Sequence, residues 1–174
     1  MFQLVERRLN KSEANLLVNQ IKLTPNITGY SLKEWLTFDS VIVAEDEEEM
    51  VGVCLYYNFS KNWTFISVLF VLDNFRGKGI GKQLFFRACE NIIKLKRNIY
   101  TSSREPIVIN MMRQLDFEIF DTLFLLPEKY EKYEFVFFLR ALKWLFSLYR
   151  LKEVYRKAIR FGKQESFVYG IKSC

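Results

Sequence analysis

Residues 76–81 read Arg76-Gly77-Lys78-Gly79-Ile80-Gly81 and separate the apolar run Trp63–Leu72 from a predicted helix over Gly81–Lys96. Glycines adopt backbone conformations that other residues avoid, and they let the main chain approach a ligand closely. The start of a helix presents unpaired N–H groups and the positive end of the helix dipole, a combination that binds phosphate. The glycine spacing matches neither a Walker A loop nor the dinucleotide fingerprint of a Rossmann fold. The stretch therefore predicts a strand–loop–helix unit that holds a phosphate group, with a tight turn without a ligand as the alternative.

The rest of the chain alternates between strand-like and helix-like patterns. Two apolar runs, Val41–Ala44 and Met50–Tyr57, flank the acidic residues 45–49, which indicate a solvated hairpin turn rather than a metal site. A hairpin pairs its strands antiparallel. The other predicted elements are strands at Phe2–Leu9, Trp63–Leu72, Asn98–Ser102, Phe117–Leu125 and Glu134–Leu139, and helices at Glu13–Ile21 with Ser12 as N-cap, Ser31–Phe38 with Ser31 and Glu34 as a capping box, and Pro106–Gln114. They predict an α/β fold with a mixed, mostly antiparallel central sheet flanked by helices.

Residues 141–174 are predicted to form a helical extension that packs on a domain made of residues 1–140. Leu148–Arg160 is amphipathic, with apolar residues along one side and mostly basic residues along the other. Three interpretations of this segment stay open: packing against the core or a second subunit, a basic rim that steers an acidic acceptor, or contact with a membrane surface or nucleic acid. Phe167–Ile171 is either an additional strand or the final core strand in place of Glu134–Leu139.

The composition restricts the chemistry. The 174 residues contain no histidine, which excludes Ser–His–Asp and Cys–His catalysis and an imidazole zinc site. Cys54, Cys89 and Cys174 have no CxxC spacing and are interpreted as reduced thiols. No apolar run reaches the length that spans a bilayer, and the first residues lack the pattern of a signal peptide. We therefore expect no metal, no membrane span and a cytoplasmic location.

Charge is distributed unevenly along the chain. Residues 1–75 carry 6 Lys and Arg against 10 Asp and Glu, whereas residues 76–174 carry 20 against 10, and the formal net charge is +6. A basic half that begins at the glycine loop suits an anionic ligand, although an ordinary solvated basic surface has the same composition.

The loop and its surroundings resemble the GCN5-related N-acetyltransferase (GNAT) family. The signature of that family, Arg/Gln-x-x-Gly-x-Gly/Ala, is matched in full by residues 76–81. Ala44-Glu45-Asp46 and Met50-Val51-Gly52 resemble its second and third strands around their hairpin, and Leu69-Phe70-Val71 resembles the end of its fourth strand. Leu115-Asp116-Phe117 resembles the exit of its fourth helix, where the family usually has Leu-Gly-Phe. The resemblance covers about residues 2–140 and implies a GNAT-like fold there.

The resemblance also implies acetyl-CoA as the acyl donor. In that family the pyrophosphate rests on N–H groups of the glycine loop, and the pantetheine arm runs along the fourth strand like an added strand. The acceptor amine attacks directly, so no protein nucleophile is needed. The cofactor-binding residues implied in this chain are Leu69, Phe70, Val71, Arg76, Gly77, Lys78, Gly79, Ile80, Gly81 and Lys82.

The residues that would move protons are marked less clearly than the loop. Many relatives have a tyrosine in the fourth helix that protonates the leaving thiolate and an asparagine at the start of that helix, where this chain has Met112 and Glu105. Ser67, a polar residue within a predicted strand, could hold a water that deprotonates the amine or could simply face solvent. The tyrosines that could act as the acid, with core packing as the alternative for each, are Tyr57, Tyr100 and Tyr130.

The leading hypothesis is an N-acetyltransferase that moves an acetyl group from acetyl-CoA to a primary amine of a small molecule or peptide. The alternative is a CoA-binding regulatory or interaction module with the same fold and little or no turnover, which Met112 favours. A third hypothesis is a basic binding protein whose glycine loop holds another phosphate. A homodimer is implied by the resemblance alone, and nucleic acid is not an expected partner.

Overall fold

The computed structural model describes residues 2–38, 41–122 and 126–174, and its centre is a seven-stranded sheet with the order β1-β2-β3-β4-β5-β7-β6. The strands are β1 Gln3–Arg7, β2 Val41–Asp46, β3 Glu49–Asn58, β4 Trp63–Val71, β5 Asn98–Ser103, β6 Glu118–Phe120 and β7 Val168–Lys172. Neighbouring strands pair antiparallel except β4 and β5, which are parallel. The predicted mixed, mostly antiparallel α/β fold is confirmed.

Helices connect the strands and flank the sheet. They are α1 Lys11–Ile21, α2 Leu32–Thr37, α3 Ile80–Lys94, α4 Pro106–Gln114, α5 Glu134–Leu145 and α6 Leu148–Phe161. Ser31 and Glu34 form the predicted capping box of α2. The predicted N-cap of α1 is wrong, because Asn10 caps the helix together with Glu13 and Ser12 already lies in the first turn.

The two faces of the sheet contribute to two apolar clusters. Along β2, Ile42 and Ala44 pack with residues of α3, whereas Val41 and Val43 pack with residues of α1 and α2. The apolar stripe of α3 is buried in the first cluster, and Leu84 at its centre has no exposed surface. Because α3 follows β4 almost directly in sequence, this packing fixes the glycine loop at the end of β4.

β4 and β5 separate partway along their length. Their pairing ends at Ile66 and Thr101, while β4 continues to pair with β3 as far as Val71. Ser67 has no counterpart in the register with β3 and forms a β-bulge at the point where the two strands separate. The separation leaves a cleft between β4 and β5 that leads towards the glycine loop.

In the C-terminal third, the strand predicted at Glu134–Leu139 is wrong, and the strand beside β5 is formed by a later segment. Glu134–Leu139 is not a core strand but the first half of α5. A short apolar run fits a strand or a helix equally well, and the helix is decided here by its continuation to twelve residues. The place beside β5 belongs to β7, which lies between β5 and β6 and comes from the predicted extension. Of the predicted strand Phe117–Leu125, Glu118–Phe120 is a strand and residues 123–125 lie outside the described residues. The domain boundary at residue 140 stays a prediction.

α6 packs on the rest of the protein through its charged side. Glu153 and Lys157 are 3% and 6% exposed, whereas Leu148, on the apolar side, is 84% exposed. The Lys157 ammonium donates hydrogen bonds to the backbone carbonyls of Ile21, the last residue of α1, and of Thr24 and Ile27 in the segment that joins α1 to α2. The helix is thus attached by hydrogen bonds and ion pairs, and its apolar side remains at the surface.

Candidate functional site

A cavity of about 720 Å³ extends from the glycine loop through the cleft between β4 and β5 to α5. Its walls also include residues of α4 and of the segment that precedes α2. Within the described residues, its charged lining consists of the cations Arg76, Lys82, Arg140 and Arg150 and the carboxylate of Glu105. This excess of cations favours an anionic ligand.

The glycine loop forms one end of this cavity. Gly77 and Gly79 both have a φ of 78°, in the left-handed region that favours glycine. A Cβ atom added at either position would meet no atom within 4 Å, so the space beside the loop is open. Gly79 is the N-cap of α3 and provides no side-chain hydrogen bond to it. The first N–H groups of α3 are therefore available to a ligand.

Two cations, Arg76 of the loop and Lys82 of α3, lie beside these N–H groups. Arg76 is oriented by the carbonyl of Val71, 3.2 Å from its Nε, and by Asp73, 2.9 Å from its terminal nitrogen. Lys82, in the first turn of α3, also lines the cavity. All of the predicted cofactor-binding residues line the cavity except Lys78. Their role in binding a cofactor stays a prediction.

The middle of the cavity is formed by β4 beyond the bulge. From Val68 to Val71, β4 pairs with β3 on one side, and its pairing with β5 has already ended. In an antiparallel ladder, alternate residues turn their N–H and C=O groups away from the partner strand, so this stretch offers main-chain groups to the cleft. The opposite wall is made by Ile107, Val108 and Met111 of α4. An extended group can bind here in the manner of an added strand.

Ser67 is paired with a tyrosine that the sequence analysis did not single out. Its Oγ lies 2.6 Å from the hydroxyl oxygen of Tyr30, and both residues line the cavity. Burial raises the pKa of Tyr30 far above its ordinary value, Tyr57 adds to the rise, and the hydrogen bond with Ser67 opposes it. Tyr30 is therefore a neutral phenol near pH 7, able to donate or accept a hydrogen bond but unable to act as a phenolate base.

The candidate tyrosines separate into two groups. Tyr57 and Tyr100 line the cavity, and Tyr130 does not. Tyr130 packs edge-on against Trp63, and its hydroxyl donates to Ser173 at 3.2 Å, which favours packing as its role. Burial raises the pKa of Tyr100 strongly, and Arg140 partly opposes that rise.

The position of the expected tyrosine in α4 belongs to the core. Met112 has no exposed surface and does not line the cavity, whereas its neighbour Met111 does. Gly170 of β7 packs so closely that a Cβ there would lie 2.8 Å from the Met112 sulfur. Glu105, at the N-cap of α4, lines the cavity and accepts a hydrogen bond from the side-chain amide of Asn26.

Tyr30 and Arg140 are two polar residues of the cavity that sequence reasoning missed. Tyr30 is 37 residues from Ser67 along the chain, and the guanidinium of Arg140 lies 3.6 Å from the ring centre of Phe65 on a different element. Periodicity marks residues that share an element, not contacts between distant elements. The one local signal was that Tyr30 precedes the N-cap Ser31, a position whose side chain often packs on the helix that follows.

The described residues contain neither a membrane-spanning helix nor a cluster suited to a metal ion. None of the described helices has both the length and the apolar character needed to cross a membrane. The described Cys, Asp and Glu side chains form no group of three or more that could hold a metal ion.

Comparison with known proteins gives one family and many structures. The model of the acetyltransferase (GNAT) family matches residues 17–117, more than half of the chain. No curated protein sequence matches.

Three solved structures illustrate the likeness of fold. N-acetylglutamate synthase from Neisseria gonorrhoeae, complexed with coenzyme A and N-acetyl-glutamate, has a TM-score of 0.61 and 13% sequence identity to this chain. The match covers 97% of this chain and 34% of the synthase. Rv2747 from Mycobacterium tuberculosis, in complex with CoA, has a TM-score of 0.62 and 13% sequence identity, and the match covers 95% of this chain and 97% of Rv2747. The GNAT family protein SP0256 from Streptococcus pneumoniae has a TM-score of 0.57 and 22% sequence identity, and the match covers 73% of this chain and 95% of SP0256. The chain thus spans about a third of the gonococcal enzyme.

Proposed function

Because the chain belongs to the GNAT acetyltransferase family, we propose that it transfers an acetyl group from acetyl-CoA to a primary amine of a small molecule or peptide. The observation that carries the proposal is the continuity of three features in one cavity. These are the open glycine loop at the start of α3, the unpaired edge of β4, and the Tyr30–Ser67 pair beside the bulge.

The residues at the loop fit the pyrophosphate of acetyl-CoA. Phosphate oxygens accept hydrogen bonds from the N–H groups that an uncapped helix start presents, and Gly77 and Gly79 leave room for close approach. Lys82 and Arg76 supply compensating charge. The phosphates would therefore be held by Gly77 to Lys82.

The edge of β4 fits the amide-containing arm of the same molecule. Leu69, Phe70 and Val71 lie beyond the point where β5 leaves β4, so alternate main-chain groups there can bond an extended chain. Leu69 and Val71 are half-buried, and together with Met111 they give that arm an apolar surface.

Acetyl-CoA supplies an acetyl group already activated as a thioester, so an amine can accept it without a protein nucleophile. The two buried cysteines agree with this assignment, since burial raises the pKa of Cys89 to about 12 and that of Cys54 further. Both thiols stay protonated near pH 7. The protein's contribution is then to bind, orient and desolvate the two substrates.

We assign a positioning role to the Tyr30–Ser67 pair. Because Tyr30 is neutral and hydrogen-bonded to Ser67, the pair can hold the amine or an ordered water beside the bulge of β4. Replacing Tyr30→Phe should lower kcat/KM about tenfold, as expected for loss of about 1.4 kcal/mol. Tyr56→Phe is the matched control, because Tyr56 bonds to Glu6 and Asn91 and does not line the cavity.

Cofactor binding is tested by calorimetric titration with acetyl-CoA. The folded wild type should bind saturably, and Gly79→Trp should weaken binding at least tenfold by filling the space beside the loop. Gly162→Trp is the matched control, since Gly162 also has a positive φ and an open Cβ position but does not line the cavity. Absence of binding at millimolar acetyl-CoA, or unchanged affinity in Gly79→Trp, would overturn the proposal.

A CoA-binding module with little turnover remains the second candidate. The buried Met112 at the position of the expected tyrosine supports it. A panel of amines, read by release of the CoA thiol, separates the two candidates: saturable binding without thiol release supports the module, and release with any amine supports the enzyme.

A further inference from the structure

Arg140 of α5 occupies the end of the cavity opposite the glycine loop. Its guanidinium lies over the ring of Phe65 at 3.6 Å and over that of Tyr100 at 5.0 Å. Phe65 and Val71 are six residues apart on β4, which at ~3.3 Å per residue separates the two ends of the cavity by about 20 Å. Arg140 is therefore not placed to meet a phosphate at the loop.

Arg140 has no anionic partner among the described residues. Its Nε is buried without a hydrogen-bond acceptor, and it takes part in none of the described ion pairs. Arg150, in the same cavity, is already paired with Glu34 at 3.0 Å. A partly buried cation without a counter-ion is costly, and aromatic stacking supplies only part of the compensation. The arrangement therefore suits an anion that arrives with a ligand.

A second guanidinium, that of Arg104, lies near the same aromatic residues, although Arg104 does not itself line the cavity. Arg104 stacks on Phe167 at 3.9 Å, and its Nε is also buried without an acceptor in the described part of the chain. Burial raises the pKa of Tyr169, and the charges of Arg104 and Arg140 both oppose the rise, so both cations lie near that ring. Phe167 and Tyr169 line the cavity.

We propose that Arg140 binds a carboxylate of the acceptor, which makes the acceptor an amine that also carries a carboxylate, such as a free amino acid. The planar fork of a guanidinium matches a carboxylate with two parallel hydrogen bonds. This inference rests on the proposed acetyl transfer. In that reaction the amine nitrogen bonds to the acetyl carbon while the carbon–sulfur bond breaks, the amine's proton is balanced by formation of the CoA thiol, and the carboxylate is unchanged.

The first test compares each L-amino acid with its own amide, which keeps the amine and removes the negative charge. Wild-type kcat/KM should be at least tenfold higher for the acids, corresponding to at least about 1.4 kcal/mol. Arg140→Gln should abolish the preference and leave acetyl-CoA affinity unchanged. Lys143→Gln, at an exposed position of the same helix that does not line the cavity, should keep the preference.

Arg140→Lys guards against a folding defect in the glutamine variant. Lysine keeps the positive charge but cannot form the two parallel hydrogen bonds of a guanidinium, so the preference for the acids should fall to an intermediate value. Equal or better transfer to the amides by the wild type, or an undiminished preference in folded Arg140→Gln, would overturn the inference and leave the proposed function standing.

A binding measurement separates failure of the inference from failure of the proposed function. Succinate, which has carboxylates and no amine, is titrated into protein saturated with coenzyme A. Binding that weakens at least tenfold in Arg140→Gln and is unchanged in Lys143→Gln supports the carboxylate site even if no amine is acetylated. Absence of succinate binding, or binding that is the same in Arg140→Gln, contradicts the site.

Discussion

α3 and α6 are both amphipathic helices of similar length, and they face the protein in opposite ways. α3 buries its apolar stripe against the sheet and leaves Lys82 exposed at its start. α6 buries Glu153 and Lys157 and exposes its apolar residues. Amphipathicity therefore tells which residues share a face, but the neighbours decide which face is buried. For α6 those neighbours include the backbone carbonyls of Thr24 and Ile27 between α1 and α2, which need donors.

The two helices also differ in whether their charged side chains are available to a ligand. The exposed cations at the start of α3 remain available to a ligand. The charged residues of α6, Arg150, Arg156 and Lys157, are occupied by Glu34, Glu153 and backbone carbonyls. We therefore expect changes at α3 to alter binding and changes on the charged side of α6 to alter stability.

The largest expected difference between the helices comes from one substitution made in both. Leu84→Ala in α3 should lower the free energy of unfolding by about 2–5 kcal/mol, because Leu84 is fully buried and the change leaves a cavity. Leu148→Ala in α6 should change it by less than about 0.5 kcal/mol, because that side chain is already 84% exposed. Urea denaturation measures both. Comparable losses in the two variants would mean that the apolar side of α6 is covered in solution.

A smaller effect is expected from the buried charge of α6. Lys157→Met removes the hydrogen bonds that the carbonyls of Thr24 and Ile27 accept, whereas the Ile21 carbonyl keeps its bonds from Thr24, and the change should cost about 1–3 kcal/mol of stability. Lys152→Met, at an exposed position of the same helix, should be nearly neutral. Thermal or urea unfolding compares the pair, and a neutral or stabilising Lys157→Met would contradict the orientation of α6.

The smallest stability effect, with a clear effect on binding, is expected at the two ends of α3. Lys82→Glu should weaken acetyl-CoA binding about tenfold while raising stability by about 0.3–1 kcal/mol, since a negative charge suits a helix N-terminus. Lys94→Glu should leave binding unchanged and lower stability by a similar amount, because it opposes the dipole at the other end. Calorimetry and unfolding are measured on both variants. Equal affinities in the two would remove Lys82 from the site.

Local patterns predicted the parts of the fold that rest on local physics. The four-residue spacing of α3, the glycine loop and the Ser31–Glu34 capping box are set by neighbours along the chain, and the structure has all three. The strand predicted at Glu134–Leu139 is wrong because five consecutive apolar residues suit a strand and a helix equally, and here they belong to a helix that continues to twelve residues. The Tyr30–Ser67 bond and the placement of Arg140 over Phe65 join distant elements, and periodicity along the chain does not mark such contacts.

Amide hydrogen exchange with and without acetyl-CoA tests the central claim most directly, because it reports on the main-chain groups that the proposed site uses. We predict that acetyl-CoA slows exchange at residues 67–71 of β4 and at residues 77–82 of the glycine loop and the first turn of α3, with little change in α6. Saturating acetyl-CoA that leaves both segments unprotected, or that protects α6 instead, would contradict the account.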